Sequence, residues 1–405
     1  MTTPNTLIPT TLPRQDARPG ADLFQTGRIS IVAAAHFIND IYTAYLAPLL
    51  PALIEKFSLS LTQASILTTM MQLPSLLNPV IGYLADRLSV RYFIILTPAV
   101  TATLMSSLGL APNYASLAVI LFAVGISTAC FHAPAPAMIS SVSGRRIGLG
   151  MGVFMASGEF ARTAGPLLAI WAISLWGLDG LWRTAVLGWA ASLLLFLRLR
   201  NVNTRPLRSS SQGSSLAWLG PALLRLFLPL ALVNLFIDFM LESLTTFLPT
   251  YMKTQGASLA MAAAAYSIFS LTGAVGALTS GPLSDRIGRR LTIAGATVIS
   301  AALMLLFLQA EGALIALLLL ALGLFALSRT AVMMALVQEY LPEHRATANG
   351  IYMVIAFLLR PVAALMIGFL GDRYGLHAVF FWSAFTSLLA LPFIYLLPET
   401  PRAVR

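Results

Sequence analysis

Twelve apolar stretches, each at or above the roughly 18–20 residues that carry a helix across a bilayer, leave this chain few ways to fold. They lie at about residues 29–54, 62–85, 92–111, 114–141, 147–175, 180–198, 224–252, 259–284, 291–309, 312–338, 346–370 and 376–397. In hydrocarbon every backbone N–H and C=O must find a partner within the protein, so stretches of this length read as spanning helices. Pro48, Pro51, Pro74, Pro79, Pro166 and Pro361 fall inside them; neighbouring helices re-satisfy the backbone groups that such prolines free. Apolar residues are 58% of the chain and charged ones 10%, far from the roughly 45–50% and 25% of a soluble domain. The fold expected is all-α and integral to the membrane: twelve transmembrane helices in two pseudo-symmetric six-helix bundles.

The first residues are polar and carry Pro4, Pro9, Pro13 and Pro19. Without an apolar run before a cleavage site they read as no removable leader. Cys130 is the sole cysteine, which excludes an intramolecular disulfide framework. The net charge of +10 is spread thinly between apolar segments, so it speaks for topology rather than for nucleic acid. Setting aside the arginines inside spans, 18 Lys and Arg fall on the side of the termini, and only Lys56, Lys253 and Arg373 on the other. By the positive-inside rule both termini are cytoplasmic, in what reads as a bacterial inner membrane. Residues 199–223, with Arg205, Pro206 and Ser209–Ser211, read as a flexible linker. It separates bundles at 29–198 and 224–397, flanked by tails at 1–28 and 398–405.

The halves repeat. Asp40 precedes Pro51 by eleven residues, as Asp238 precedes Pro249; Arg162 and Arg360 share the same offset of about 198. Gly82-Tyr-Leu-Ala-Asp86-Arg87-Leu-Ser-Val-Arg91 returns as Gly281-Pro-Leu-Ser-Asp285-Arg286-Ile-Gly288-Arg289-Arg290. This repeated segment resembles the loop signature of the major facilitator superfamily, whose transporters duplicate a six-helix unit. His36-Phe-Ile-Asn39-Asp40, Phe131-His132-Ala-Pro134 and Gly158-Glu159-Phe-Ala-Arg162-Thr-Ala-Gly165-Pro166 are similar to segments of its fosmidomycin-resistance exporters. Gly152, Ala161, Gly165, Pro166 and Ala169 resemble the antiporter motif of the fifth helix, with alanine at two of its glycine positions.

The resemblance implies alternating access, and a latch in which Gly82, Asp86, Arg87, Arg91, Gly281, Asp285, Arg286, Gly288, Arg289 and Arg290 hold the cytoplasmic side closed. The residues themselves support part of this. A carboxylate at a helix end can face a neighbouring helix N-terminus or pair with arginine, and the aspartates serve no topogenic purpose. Simple retention of the loop by its basic residues is the alternative.

Charges inside spans each cost at least about 2.5 kcal/mol at the helix centre, so they mark the candidate site: Asp40, Glu159, Arg162, Asp238, Glu242, Arg329 and Arg360. Arg183, near an outer end, can snorkel. Asp238 and Glu242 share one face of the seventh helix, where two carboxylates hardly both ionise unless an arginine intervenes. Proton coupling is therefore expected at Asp40, Asp238, Glu242 or Glu159. Substrate contacts are expected at His36, Asn39, His132, Arg162, Arg329 and Arg360. Salt bridges that merely lock helices together are the rival reading, and Glu159 offers Arg162 one at three residues' distance. His36, Asp40 and His132 also make a set with metal-ligand spacing, but histidines bonded to neighbours such as Asn39 are the expectation, and no metal or other cofactor. Tyr42, Tyr45, Phe154, Phe236, Tyr266 and Tyr352 read as packing. No glycine-rich phosphate loop with its lysine appears.

The expected function is proton-coupled efflux of a small polar or anionic compound such as a phosphonate-type antibiotic, by a monomer whose partners are lipid, protons and substrate. An uptake carrier for a sugar, organic acid or other metabolite is the alternative. A membrane enzyme or sensor is disfavoured because no nucleophile–base arrangement or catalytic domain is present.

Overall fold

The computed structural model describes residues 24–78, 80–81, 90–143, 146–200, 219–341 and 345–398. Every regular element among them is helical. Among the described residues, ten helices are long and apolar enough to cross a bilayer. The fifth span is the 30-residue helix Ile147–Trp176, which carries Glu159 and Arg162. The second begins as Leu61–Gln72 and tightens over Leu73–Leu77. The linker expected at 199–223 lies mostly outside the described residues, and so do Gly82, Asp86 and Arg87 of the first loop signature.

Several expected spans are two helices. The first divides into Thr26–Thr43 and Leu46–Phe57. Pro48 has no N–H for the carbonyl of Ala44, and its ring crowds that carbonyl. The seventh, Leu228–Thr254, runs unbroken; 198 residues after Pro48 it has Thr246, whose amide and hydroxyl both suit a helix. The fourth divides at Pro134 into Tyr114–His132 and Ala135–Val142. Its counterpart divides into Ala313–Ala326 and Arg329–Tyr340. His132 and Arg329 thus sit at equivalent breaks in the two halves.

The packing is duplicated. The first span lies on the fifth and the seventh on the eleventh; the second lies on the fourth and the eighth on the tenth; the third contacts the fourth and sixth as the ninth contacts the tenth and twelfth. The halves meet where Leu61–Gln72 packs on Arg345–Tyr374, Ile147–Trp176 on Leu259–Ile287, and Leu46–Phe57 on Leu228–Thr254.

The buried apolar side chains form one cluster common to both halves at the end away from the termini, including Leu49, Leu50, Leu53, Phe247, Leu248 and Phe380. At the termini's end two separate clusters appear, one around Ile29, Ile94 and Met138, the other around Leu226, Ile293 and Leu336. The bundles are therefore welded at one end and packed independently at the other. Large apolar side chains such as Val119, Leu224, Phe369 and Trp382 remain more than 60% exposed, the surface that lipid covers.

Candidate functional site

In the first half the site grows from the break in the first span. His36 and Asp40 lie one turn apart, both buried, and His36 Nε2 is 3.2 Å from Asp40 Oδ2. The end of helix Tyr114–His132 brings His132 Nε2 to 3.3 Å from Asp40 Oδ1 and 3.2 Å from His36 Nε2. The outer nitrogens are pinned: His36 Nδ1 is 2.8 Å from the Phe154 carbonyl and His132 Nδ1 is 3.0 Å from that of Thr128. The His36 ring stacks on Phe154 at 4.0 Å, and Phe131 lies near-parallel beside it at 5.6 Å. Asn39 is not the histidine's partner, as the sequence suggested. Its amide donates to Asp40 Oδ1 at 3.0 Å and its oxygen accepts from Thr101, whose hydroxyl lies 2.8 Å from that of Ser127. The sequence missed Thr101 and Ser127, since an isolated hydroxyl in an apolar span carries no signal.

Glu159 and Arg162 pair at 3.0 Å across one turn of the fifth span, and the Arg162 side chain is 44% exposed. The fifth span approaches the first closely through small residues. A Cβ on Gly158 would strike the His36 ring, and one on Gly165 the carbonyl of Ile41; Gly152 faces open space. Ala161, Pro166 and Ala169 are buried. Within this motif, Gly165 sets the helix approach and Gly152 does not.

In the second half Arg360 Nε donates to Glu242 Oε1 at 2.6 Å, and Thr246 donates to Oε2 at 3.0 Å. Glu242 is 2% exposed and Arg360 33%. Asp238, one turn earlier, is buried and makes no hydrogen bond or ion pair among the described residues; its charged neighbours are Arg360, Glu242 and Arg329. Arg329 is 3% exposed, donates through Nε to Ala326 O at 3.0 Å, and leaves Nη1 without a hydrogen-bond partner. Tyr266 of the eighth span lies within electrostatic reach of Arg162, Glu242 and Arg360, so the charges of both halves converge beside it. Tyr42, Tyr45, Phe154 and Tyr352 are buried packing groups, and Phe236 stacks on Phe393 at 5.6 Å.

At the termini's end, Arg289 makes 2.5 Å ion pairs with both Asp285 and Glu339 and donates to Gly281 O at 3.3 Å. Gly288 supplies the turn with φ of 98°, a conformation favouring glycine. Arg286 is exposed and Arg290 half-buried. Arg91 donates to the Arg200 carbonyl at 2.8 Å, closing the end of the sixth span. Glu339 went unnoticed in the sequence because it lies 50 residues from its partner.

At the opposite end Asp372 reaches across the halves. Its Oδ1 accepts from Leu61 N at 2.6 Å, and its Oδ2 from Thr62 N at 2.8 Å and Thr62 Oγ1 at 2.5 Å. Ser60 and Gln63 form a reciprocal capping box on the same helix, so all four leading amides of the second span are satisfied. Gly368 and Gly371 leave room for this approach, since side chains there would meet Ser65 and Leu61.

Residues 32–278 and 230–405 match the family described as Major Facilitator Superfamily. The uncharacterized MFS-type transporter YfnC of Bacillus subtilis (strain 168) is 26% identical over 394 residues, 94% of this chain and 95% of that protein. The fosmidomycin resistance protein of Escherichia coli (strain K12) is 25% identical over 375 residues, 91% of this chain and 92% of that one. Among solved structures, a bacterial homolog of the human lysosomal transporter Spinster, inward-facing and occupied, superposes with a TM-score of 0.78 at 16% identity, covering 92% of this chain and 96% of that one. An inward-facing, unoccupied structure of a bacterial Spinster homolog gives 0.71, also at 16% identity, over 93% and 96%.

Proposed function

The chain belongs to the Major Facilitator Superfamily and is a multi-pass membrane transporter, not an enzyme; from that premise we propose that it exports a small polar or anionic compound, of the phosphonate-antibiotic type, in exchange for protons. The site lies between halves that rock about it. The chief support is the convergence of Arg162, Glu242 and Arg360 beside Tyr266, from both halves, with Arg162 and Arg360 partly exposed. Arginine suits phosphonate and carboxylate through bidentate hydrogen bonds. The E. coli relative is named a fosmidomycin resistance protein, which supports an antibiotic of that type as substrate.

With the termini cytoplasmic, as the basic loops argue, the welded end is periplasmic and this state faces inward, like both Spinster homologs. In it Arg289 is held within its own half by Glu339 and Asp285, as a latch released from the other half would be. One copy contains both halves of the site, so a monomer in the inner membrane suffices.

The direction of coupling follows from which contact competes with a proton. An anion displacing Glu242 from Arg360 would make Glu242 take up a proton, so substrate and proton would travel together. A hydroxyl or amide of the substrate donating to ionised Asp238 gives the opposite sign, because a proton on Asp238 expels the donor. Asp238 is the acid without a committed partner, and it is the group we assign to exchange. Loaded with a proton from outside it releases substrate there; deprotonated toward the cytoplasm it accepts the next molecule.

In energised inside-out vesicles, a phosphonate antibiotic is expected to alkalinise the lumen. Asp238→Asn, a fixed mimic of the protonated acid, should abolish that response and weaken substrate binding. An unchanged response in the variant, or acidification with the wild type, overturns the assignment.

A further inference from the structure

We propose that His36, Asp40 and His132 form a binding site for one divalent transition-metal ion of the zinc class. The hydrogen positions point there first. Carbonyl oxygens only accept, so the Nδ1 atoms that face Phe154 O at 2.8 Å and Thr128 O at 3.0 Å carry the ring hydrogens. Each neutral imidazole then presents a lone pair at Nε2. Those two lone pairs and the Asp40 carboxylate point at one another, with Nε2 atoms 3.2 Å apart and carboxylate oxygens at 3.2 and 3.3 Å.

Acceptors converging on acceptors need a cation among them. A single proton satisfies one contact and leaves another lone pair opposed. Two protons put two imidazolium groups in contact. One metal ion satisfies all three ligands together. The spacing fits as well: a tetrahedral ion with ligands at about 2.0–2.1 Å places them about 3.3 Å apart. Two neutral imidazoles and one carboxylate are donors that such ions favour.

The surroundings are those of a prepared site. Imidazole ligands are usually oriented by a hydrogen bond from the far nitrogen to a carbonyl or carboxylate, and both histidines have one. Phe154 stacks on the His36 ring and Phe131 packs beside it, and Asn39 holds Asp40 Oδ1 at 3.0 Å. His36 and Asp40 are buried, but the His132 side chain is 34% exposed, which gives an approach and a fourth position for water or a ligand oxygen. The nearby cation Arg162 is offset by Glu159 at 3.0 Å. The second half has no such set: Asn234 replaces His36 and Arg329 stands at the break equivalent to His132.

Tag-free, full-length protein in detergent, stripped by chelator, is titrated with Zn2+ against a chromophoric competitor. One ion per chain is expected. Loss of a group that merely hydrogen-bonds to a ligand costs about 10–100-fold in affinity, so Asp40→Asn and His132→Ala should each weaken binding by at least ~100-fold. His377→Ala, an exposed histidine at the other end, should bind like wild type. Co2+ in the wild-type protein should give the intense visible bands of a four-coordinate ion, a readout that needs no variant to fold. Absence of stoichiometric binding, wild-type affinity in Asp40→Asn, or only the faint bands of six-coordinate Co2+ would overturn the site. Asp238→Asn separates this from proton exchange, since it should keep the metal while losing coupling.

Discussion

The two halves solve the problem of a charge in the membrane differently, and the difference is visible residue by residue. Arg162 and Arg360 are repeat-related, yet Arg162 takes its counter-charge from Glu159 in the same helix and Arg360 from Glu242, 118 residues away. The first pairing was legible from spacing alone. The second was half legible: two carboxylates one turn apart demanded an arginine, but nothing local says which. The pairs should differ in energy. Glu242 is 2% exposed, so Glu242→Gln strands Arg360 without its counter-charge. Breaking a buried pair costs about 3–5 kcal/mol, which the one-third exposure of Arg360 discounts to roughly 2–4 kcal/mol. Glu159→Gln should cost less than about 1 kcal/mol, as exposed pairs do. Thermal unfolding of the two variants in detergent checks the ranking; equal shifts would contradict it.

At the scale of the element, the spans could be placed from hydrophobic length, because a bilayer imposes that length on any spanning helix. Of the twelve expected, ten helices among the described residues are long and apolar enough to cross. Where helices break inside a span was less legible, since proline is tolerated or disruptive according to what its neighbours offer. Pro48 and Pro134 sit at breaks, whereas Pro166 and Pro361 lie within continuous helices. The antiporter-like motif of the fifth span likewise mixes positions that sequence cannot rank. Gly165→Ala forces a methyl against the Ile41 carbonyl of the first span, and overpacking of this kind costs roughly 1–3 kcal/mol. Gly152→Ala meets open space and should stabilise the helix by up to about 1 kcal/mol through propensity. Opposite shifts in unfolding temperature are expected; a loss at both positions would mean that Gly152 also sets a close approach.

For the whole molecule, the question is what holds one end shut while the other is apart. The apolar cluster shared by both halves at the end away from the termini supplies most of the contact, but apolar packing is non-directional and does not fix a register. Asp372 does. It accepts two backbone amides and a hydroxyl from the opposite half, at a helix N-terminus where the partial positive charge favours a carboxylate. The sequence does not single this residue out, because a cap supplied from 311 residues away has no local signature. Hydrogen bonds to charged groups contribute about 1.5–3 kcal/mol each, and they exist only while this end is closed. Asp372→Ala should therefore shift the balance toward the state open at this end. Allowing about 2–4 kcal/mol for the cap as a whole, the ratio of states changes by roughly 30- to 1000-fold. Spin labels at the outer ends of the second and eleventh spans, in a background lacking Cys130, report the distance between halves. A longer population is expected in the variant and a wild-type distribution in Asp372→Glu if its carboxylate still reaches both amides. An unchanged distribution in Asp372→Ala would assign closure to the apolar cluster alone.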